Sequence, residues 1–168
     1  PDLIIRSTEG KTIPGIHDFG EIFQDSRIEA LCPVIEETVF LQYRNQQAVA
    51  LMKGVDSVFM KQSPLQAYLT HGRFSVRFGE LEEAVVGRGL AGNLGLNVAF
   101  IDPLWIYYPK KDAVFSPLNP MASLRQEKLF PAGIFAVEQH YDSDHLLVSL
   151  ETARKLLDYG DRLSHLEI

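Results

Sequence analysis

Glycine, proline and polar turn residues divide this chain into short apolar segments, which limits it to short strands and helices. Side chains alternate along Val34–Arg44 as in a half-buried strand, and Ala48–Lys53 returns after a polar turn, so a hairpin is predicted. Six other segments have the composition of short strands: Asp2–Arg6, Arg73–Phe78, Ala84–Val86, Leu104–Tyr108, Ala132–Glu138 and Leu146–Val148.

Helical spacing is confined to brief stretches. Apolar residues from Ile16 to Leu31 follow it, Gly20 and Asp25 can divide them into two short helices, and the proline of Cys32–Pro33 must end them. Further short helices are predicted after the capping residue Ser63, at Leu90–Leu94 and after the capping residue Ser149. Gly95 ends the second of these helices, and Gly160 ends the third. Short strands outnumber helices without regular alternation, so the predicted fold class is α+β.

Composition excludes several classes of function. The 168 residues carry 16 Lys and Arg against 22 Asp and Glu, a net charge of −6, which disfavours binding to nucleic acid or to an anionic membrane surface. The single cysteine, Cys32, excludes an intramolecular disulfide framework and a cysteine-rich zinc site. No apolar run approaches the roughly 18–20 residues that span a bilayer. Because the chain starts at Pro1 and stops in a strand-like segment at Leu166–Ile168, we expect it to be a piece of a longer protein.

The segment Gly87–Gly92 is a GxGxxG pattern directly after the predicted strand Ala84–Val86. In dinucleotide-binding folds such glycines let the backbone approach a pyrophosphate at a helix N-terminus. Here the helix would meet Gly95 within two turns, and no following strand ends in an acid placed for a ribose. The alternative is a tight strand-to-helix turn in which small residues allow close packing.

The segment His140–His145 holds two imidazoles and two carboxylates within six residues, a set that zinc and other divalent metals favour. The two histidines would point to opposite faces of an extended segment, so metal binding requires a tight turn. The alternative is a polar loop between two apolar strands.

Other catalytic arrangements have less support. Cys32 precedes a proline, where a packing role is the default, and Ser164 and His165 are adjacent and do not face each other on a strand. The paired carboxylates Glu36–Glu37 and Glu82–Glu83 are typical of solvated edges. We therefore assign no catalytic, cofactor-binding or metal-ligating residue.

Residues 109–131 contain four prolines, which predicts a loop or a long extended hairpin rather than packed structure. If this segment projects, Phe115, Leu118 and Met121 are exposed, which suits a protein partner better than a small molecule. The alternative is a loop folded onto its own domain. Three aromatic residues before it can line a ligand groove or an interface, although strand aromatics most often fill a core: Trp105, Tyr107 and Tyr108.

Five segments follow one another along the chain: Lys53–Asp56, Gly72–Phe74, Glu83–Leu96, Ala132–Phe135 and Tyr141–Leu157. Their order and spacing resemble the extracytoplasmic domain of lipoprotein-releasing ABC permeases of the LolC/LolE type, whose relatives include MacB-type and FtsX-like permeases. Two features depart from the family pattern. Asn97–Phe100 stands where the family often has Gly-Asp, and segment 109–131 is longer than typical.

The resemblance implies a permease with four transmembrane helices per subunit, with this domain between the first two, on the periplasmic face of the inner membrane. It also implies two subdomains. The first is a porter-like part, residues 1–58 with 162–168, which we expect to be incomplete at its C-terminus, and the second is an inserted Sabre-like α/β part, residues 59–161. The implied partners are a cytoplasmic ATPase subunit, a second permease subunit in a dimer, and a periplasmic or outer-membrane protein, but no nucleic acid.

Two functional hypotheses follow. The first is a coupling domain that is not an enzyme and converts motion driven by ATP hydrolysis into extracytoplasmic work such as lipoprotein release. The alternative is a stand-alone small-molecule- or nucleotide-binding enzyme that uses Gly87–Gly92 or a metal at His140–His145.

Overall fold

The short segments form ten strands and four α-helices in the computed structural model, which describes all 168 residues. The strands are β1 (Ile4–Arg6), β2 (Cys32–Tyr43), β3 (Gln46–Val55), β4 (Leu69–Gly72), β5 (Arg77–Phe78), β6 (Leu81–Gly87), β7 (Leu104–Pro109), β8 (Leu124–Phe135), β9 (His145–Ser149) and β10 (His165–Glu167). The α-helices are α1 (Ser57–Gln62), α2 (Arg88–Leu94), α3 (Gln139–Asp144) and α4 (Leu150–Leu157), and 3₁₀ helices cover Ile16–Phe19, Ile22–Gln24, Pro64–Tyr68 and Pro120–Ser123. The longest α-helix has 8 residues, and none has the length and apolar character needed to cross a membrane.

Six of the strands pair into a closed ring. The predicted hairpin forms, with β2 and β3 antiparallel around the turn Arg44–Asn45, where Arg44 has a φ of 54°. From β3 the ring continues through β9, β6, β8 and β7, and β7 returns to β2. Closing a sheet in this way pairs backbone groups that an open edge would leave free, so the ring is a rigid frame for the rest of the chain.

Apolar side chains fill this ring. Inward-facing residues such as Leu41, Met52, Ile106 and Leu146 are at most 1% exposed, and α2 and α4 pack their apolar faces into the same cluster. The neighbouring residue Leu147 belongs instead to a second, smaller cluster beneath α1. Because successive side chains of a strand point to opposite faces, the two clusters lie on the two sides of the sheet.

Strands β10 and β1 extend the sheet beyond the ring. β10 pairs antiparallel with the first residues of β2, and β1 pairs with β10. The two ends of the chain therefore lie side by side. The Asp2 N–H donates to the Ile168 carbonyl at 2.8 Å, and the Ile168 N–H donates to the Leu3 carbonyl at 2.9 Å.

The expected division into two subdomains is not confirmed. Residues 1–58 and 162–168 supply β1, β2, β3 and β10, and residues 59–161 supply the other strands. The β3–β9 and β2–β7 pairings cross that boundary, and the main apolar cluster contains residues from both parts. One sheet and the main apolar cluster therefore join the two parts.

Near the N-terminus, two predicted boundaries are wrong. Residues 25–31 contain no helix, and Cys32 and Pro33 begin β2 instead of ending a helix, because proline is tolerated at the start of a strand. Farther along the chain, the predicted strand Arg73–Phe78 is reduced to β5, because residues 73–76 lie in no strand and β4 ends at Gly72.

The prolines of 109–131 do not keep the whole segment out of the sheet. β8 begins at Leu124 and forms the long hairpin alternative with β7, so the connecting loop is limited to residues 110–123. Pro131 lies next to a register shift between β6 and β8, an irregularity that accommodates its missing N–H.

The end of α4 also differs from the prediction. Asp158, with a φ of 55°, is the left-handed residue that closes this helix, and Gly160 is left-handed in the turn that follows. Aspartate is one of the few non-glycine residues that visit this conformation.

Candidate functional site

Two of the three glycines of Gly87–Gly92, Gly87 and Gly89, pack against α3, whereas Gly92 faces open space. A Cβ added at Gly87 would lie 2.4 Å from the carbonyl oxygen of Asp142, and one at Gly89 would lie 2.9 Å from the Cα of Ser143. The close approach of the α3 backbone therefore explains why these two positions are glycine. The structure favours the interpretation as a close-packed strand-to-helix turn.

The segment His140–His145 is mostly helix α3, not the predicted polar loop. The Glu138 carboxylate caps this helix by accepting from the His140 N–H at 2.9 Å. His145 stacks on Tyr141, with ring centroids 3.8 Å apart. No group of three or more His, Cys, Asp and Glu side chains converges to hold a metal ion.

The predicted nucleophile candidates make structural contacts. Burial is the largest cause that raises the pKa of the Cys32 thiol to about 11, so the thiol is protonated at neutral pH. The Ser164 hydroxyl accepts from the Glu36 N–H at 2.8 Å and donates to the Glu36 carbonyl at 3.2 Å. It makes no hydrogen bond to His165.

The carboxylates of Glu82 and Glu83 have separate partners, because neighbouring residues of β6 point to opposite faces. Glu82 accepts from the Ser149 hydroxyl at 2.6 Å and from the Thr152 hydroxyl at 3.0 Å, at the start of α4. Glu83 is buried, so the solvated-edge interpretation is wrong for it, and it pairs with Arg73 at 2.6 Å. The two carboxylates do not form an acid–base pair.

The loop between β7 and β8, residues 110–123, exposes a series of apolar side chains. Leu118 is 98% exposed and Phe115 is 67% exposed, with Val114 and Met121 also exposed. The Lys110 N–H donates to the Ser123 carbonyl at 2.8 Å and closes the base of the loop. Of the two alternatives for this segment, the structure has the projecting loop with exposed apolar residues, not a loop folded onto its own domain.

An apolar groove of about 600 Å³ lies beside this loop, over the outer face of β2, β3 and β7. Phe40 and Val49 pair across β2 and β3 and are 50% and 56% exposed. Tyr107 lies opposite Phe40 on the other side, and Met121 of the loop also lines the groove. We call residues 110–123 together with Phe40, Val49 and Tyr107 the loop surface. The sequence analysis proposed Tyr107 as a groove residue but missed Phe40 and Val49, because side-chain alternation does not show whether an outward-facing apolar residue is covered by another part of the chain.

The aromatic residues of β7 take both predicted roles. Tyr107 lines the groove, whereas Tyr108 packs against the main core and donates its hydroxyl to Glu37 at 3.3 Å. Burial first, and then the charge of Glu37, raises the pKa of Tyr108. Trp105 is half-buried.

Sequence reasoning also missed a buried ion pair between the ring and the terminal strand β10. Lys53 of β3 donates to Glu167 of β10 at 2.5 Å, and His165 Nε2 lies 3.1 Å from the same oxygen. Burial is the largest single effect and raises the pKa of Glu167, but the hydrogen bonds and charges of His165 and Lys53 outweigh it and lower that pKa to about 2. The only signal in the sequence was that Lys53 ends one apolar segment and that Glu167 lies in a strand-like segment 114 residues later.

No protein-family model matches the chain. Its fold is similar to the extracellular domain of the noncanonic ABC-type transporter YknZ from Gram-positive bacteria, with a TM-score of 0.62 and 11% identity over 98% of this chain and 81% of that one. It is also similar to the periplasmic region of MacB from Actinobacillus actinomycetemcomitans, with a TM-score of 0.61 and 14% identity over 97% of this chain and 71% of that one. A domain of a permease protein from Porphyromonas gingivalis has a TM-score of 0.57 and 12% identity over 94% of this chain and 62% of that one.

At these identities the likeness establishes a shared fold and leaves function to be argued separately. The first two structures are an extracellular and a periplasmic domain of membrane transporters, the general kind of protein that the sequence resemblance implied. Neither structure supports the more specific prediction that this chain is of the LolC/LolE type.

Proposed function

We propose that this chain is the extracytoplasmic domain of an ABC transporter permease and lies on the periplasmic face of the inner membrane. The observation that carries the proposal is the fold, which is shared over 98% and 97% of the chain with two domains of such transporters. The five ordered sequence segments support the same assignment independently of the coordinates.

The domain would couple ATP hydrolysis by a cytoplasmic subunit to work outside the membrane. Two features of the molecule support a mechanical role. The closed ring gives a rigid body, and strands β1 and β10 attach both ends of this chain to it. A second permease subunit would complete the transporter as a dimer.

The loop surface would contact a periplasmic or outer-membrane protein, with lipoprotein release as the work performed. Its apolar side chains are exposed together rather than scattered, which marks an interaction surface. By contrast, no observation favours an enzyme that uses Gly87–Gly92 or a metal at His140–His145. The backbone of α3 packs over Gly87 and Gly89, and the side chains of His140–His145 do not form a group that could hold a metal ion.

The test is to purify the full-length protein that contains this domain from its natural membrane. We expect an ATP-hydrolysing subunit to co-purify and the complex to release a lipoprotein from vesicles when ATP and a soluble acceptor are added. A full-length protein without hydrophobic spans, or without an associated ATPase, would overturn the proposal.

The role of the loop surface is tested in the same assay with Leu118→Asp. Ile101→Asp is the matched control, because Ile101 is also apolar and 91% exposed but lies before β7. We expect Leu118→Asp to abolish acceptor-dependent release with basal ATP hydrolysis unchanged, and Ile101→Asp to behave like the wild type. Equal release by both variants would remove the loop surface from the proposal.

A further inference from the structure

A polar pocket of about 330 Å³ lies where β1 and β10 extend the sheet beside β2. Its wall runs from Arg6 to His165 along the chain, so neither the first five residues nor the last three line it. Leu51 is the one apolar residue of the wall. We call it the β2–β10 pocket. Its volume lies within the roughly 300–1,000 Å³ of small-molecule sites, and its polar wall suits a small polar ligand.

His165 is buried, with 2% of its side chain exposed, and one of its ring nitrogens has no hydrogen-bond partner. Its Nε2 lies 3.1 Å from Glu167 Oε1, and because a carboxylate oxygen only accepts, Nε2 carries the hydrogen. In the neutral ring, Nδ1 is therefore an acceptor. Nδ1 faces Glu36 Oε2 across 3.9 Å, which is too long for a hydrogen bond, and both residues line the pocket. A buried acceptor without a donor is unusual, so a ligand is the missing partner.

Two opposite charges of the wall have no ion pair within the protein. Lys11 pairs with Glu37 at 3.5 Å, and Lys53, opposite Glu36 on the neighbouring strand, is engaged in the ion pair with β10. Glu36 therefore has no Lys or Arg as a partner, and Arg6 has no carboxylate as a partner. The pocket thus offers one unpaired anion and one unpaired cation.

These free groups specify the chemistry of a ligand. His165 Nδ1 and Glu36 Oε2 are two acceptors 3.9 Å apart, so one ammonium nitrogen roughly 2.7–2.9 Å from each can donate to both. An ammonium also supplies the charge that Glu36 lacks. The Arg6 guanidinium is suited to a carboxylate, which it can bind through two parallel hydrogen bonds. A ligand with both groups is neutral as a whole, so it brings no unpaired charge into the pocket.

We propose that the β2–β10 pocket binds a small amino acid in its zwitterionic form. The ammonium donates to His165 Nδ1 and Glu36 Oε2, and the carboxylate accepts from the Arg6 guanidinium. Because the wall has a single apolar residue, a short or polar side chain fits better than a long apolar one. This site goes beyond the proposed transport role and does not depend on it.

The first test is an NMR titration of the 168-residue chain with serine, ethanolamine and lactate. Ethanolamine keeps the ammonium without the carboxylate, and lactate keeps the carboxylate without the ammonium. We expect saturable shifts of the backbone amides of Glu36, Leu51 and His165 with serine. The other two probes should bind at least about tenfold more weakly, since each loses one charge-assisted contact and leaves a charge unpaired. No saturable shift with serine, or equal affinity for ethanolamine or lactate, would overturn the proposal.

The second test uses pairs of variants with the same change of charge. Glu36→Gln and Arg6→Gln each remove one charged contact, and their controls, Glu80→Gln and Arg88→Gln, alter exposed residues outside the pocket. The dispersion of the NMR spectra checks the folding of all four. We expect each pocket variant to bind serine at least about tenfold more weakly and each control to bind it like the wild type. Serine affinity that is unchanged in the pocket variants, or lowered equally in the controls, would contradict the assignment.

The ring nitrogens of His165 test the third contact without a substitution. Serine should shift the Nδ1 resonance of His165, because this nitrogen gains a donor. The ring of His140, which is exposed on α3, should not respond and serves as the control. A saturable change in the backbone amides with the His165 Nδ1 resonance unmoved would contradict the role of this histidine.

Discussion

The inside and the outside of the six-stranded ring use their residues in opposite ways. Inside, side chains such as Leu41 and Leu146 are apolar and buried. Outside, β10 is fastened by the ion pair of Lys53 and Glu167, and the loop surface leaves Leu118 almost fully exposed. The difference teaches that apolar packing stabilises the inside of the ring, whereas outside it a buried charge pair fastens β10 and exposed apolar groups stay available for binding.

The largest effect is expected outside the ring, at Lys53→Met. Removing one partner of a buried ion pair leaves the Glu167 carboxylate without its cation, so the free energy of unfolding should fall by about 3–5 kcal/mol. Urea unfolding at neutral pH measures the loss. The double variant Lys53→Met/Glu167→Leu should recover part of it, and a double variant less stable than the single one would contradict this account.

Leu146→Ala inside the ring should cost about 2–5 kcal/mol, since it deletes buried methyl groups and leaves a cavity that a closed ring cannot collapse. The same urea experiment measures it. A loss below about 1 kcal/mol would mean that the ring relaxes around the cavity and is less rigid than proposed.

Acid should weaken the Lys53–Glu167 ion pair outside the ring and leave the apolar packing inside the ring unchanged. The pKa of Glu167 is lowered to about 2 in the folded chain from an ordinary value of 4.5, so its contribution is present above the ordinary value and is lost as the pH falls from about 5 towards 2. The loss should reach about 3 kcal/mol, measured by urea unfolding at a series of pH values. Glu167→Gln should have a shallower pH dependence over this range, and Leu146→Ala should keep the wild-type slope. Parallel curves for wild type and Glu167→Gln would contradict the prediction.

The glycines give a smaller contrast within one motif. Gly87→Ala should lower the free energy of unfolding by about 1–3 kcal/mol, because the new Cβ would meet the backbone of α3. Gly92→Ala should raise it by about 0.5–1 kcal/mol, because Gly92 lies in a helix and faces open space. Thermal unfolding of both variants measures the two signs. Two losses of equal size would show that Gly92 has a role that packing does not explain.

The smallest effect is expected for Leu118→Ala, the same substitution as in the ring but in the loop surface. With 98% of the side chain exposed, the free energy of unfolding should change by less than about 0.5 kcal/mol. Urea unfolding beside Leu146→Ala gives the comparison directly. A cost similar to that in the ring would mean that the loop packs onto the domain in solution.

Much of the local structure was predictable, because local signals decide it. The β2–β3 hairpin, the capping serines Ser63 and Ser149 and the short helix before Gly95 follow from alternation, capping chemistry and a residue that tolerates positive φ. The prediction at Pro33 was wrong, and that for the segment ending at Pro131 left a loop and a hairpin open, for one reason. Proline is excluded from the middle of a sheet, but a strand start or a register shift removes that conflict, and both depend on the neighbouring strand.

The sequence by itself determined the mixture of short strands and helices and the ordered segments that point to a transporter domain. Only the tertiary structure decided that six strands close into a ring, that α3 covers Gly87, and that Lys53 meets Glu167 across 114 residues. The physical reason is the separation along the chain of the residues that interact. Turns, caps and alternation act between near neighbours in the chain, whereas strand closure, close backbone packing and buried charge pairing depend on residues that only the folded chain brings together.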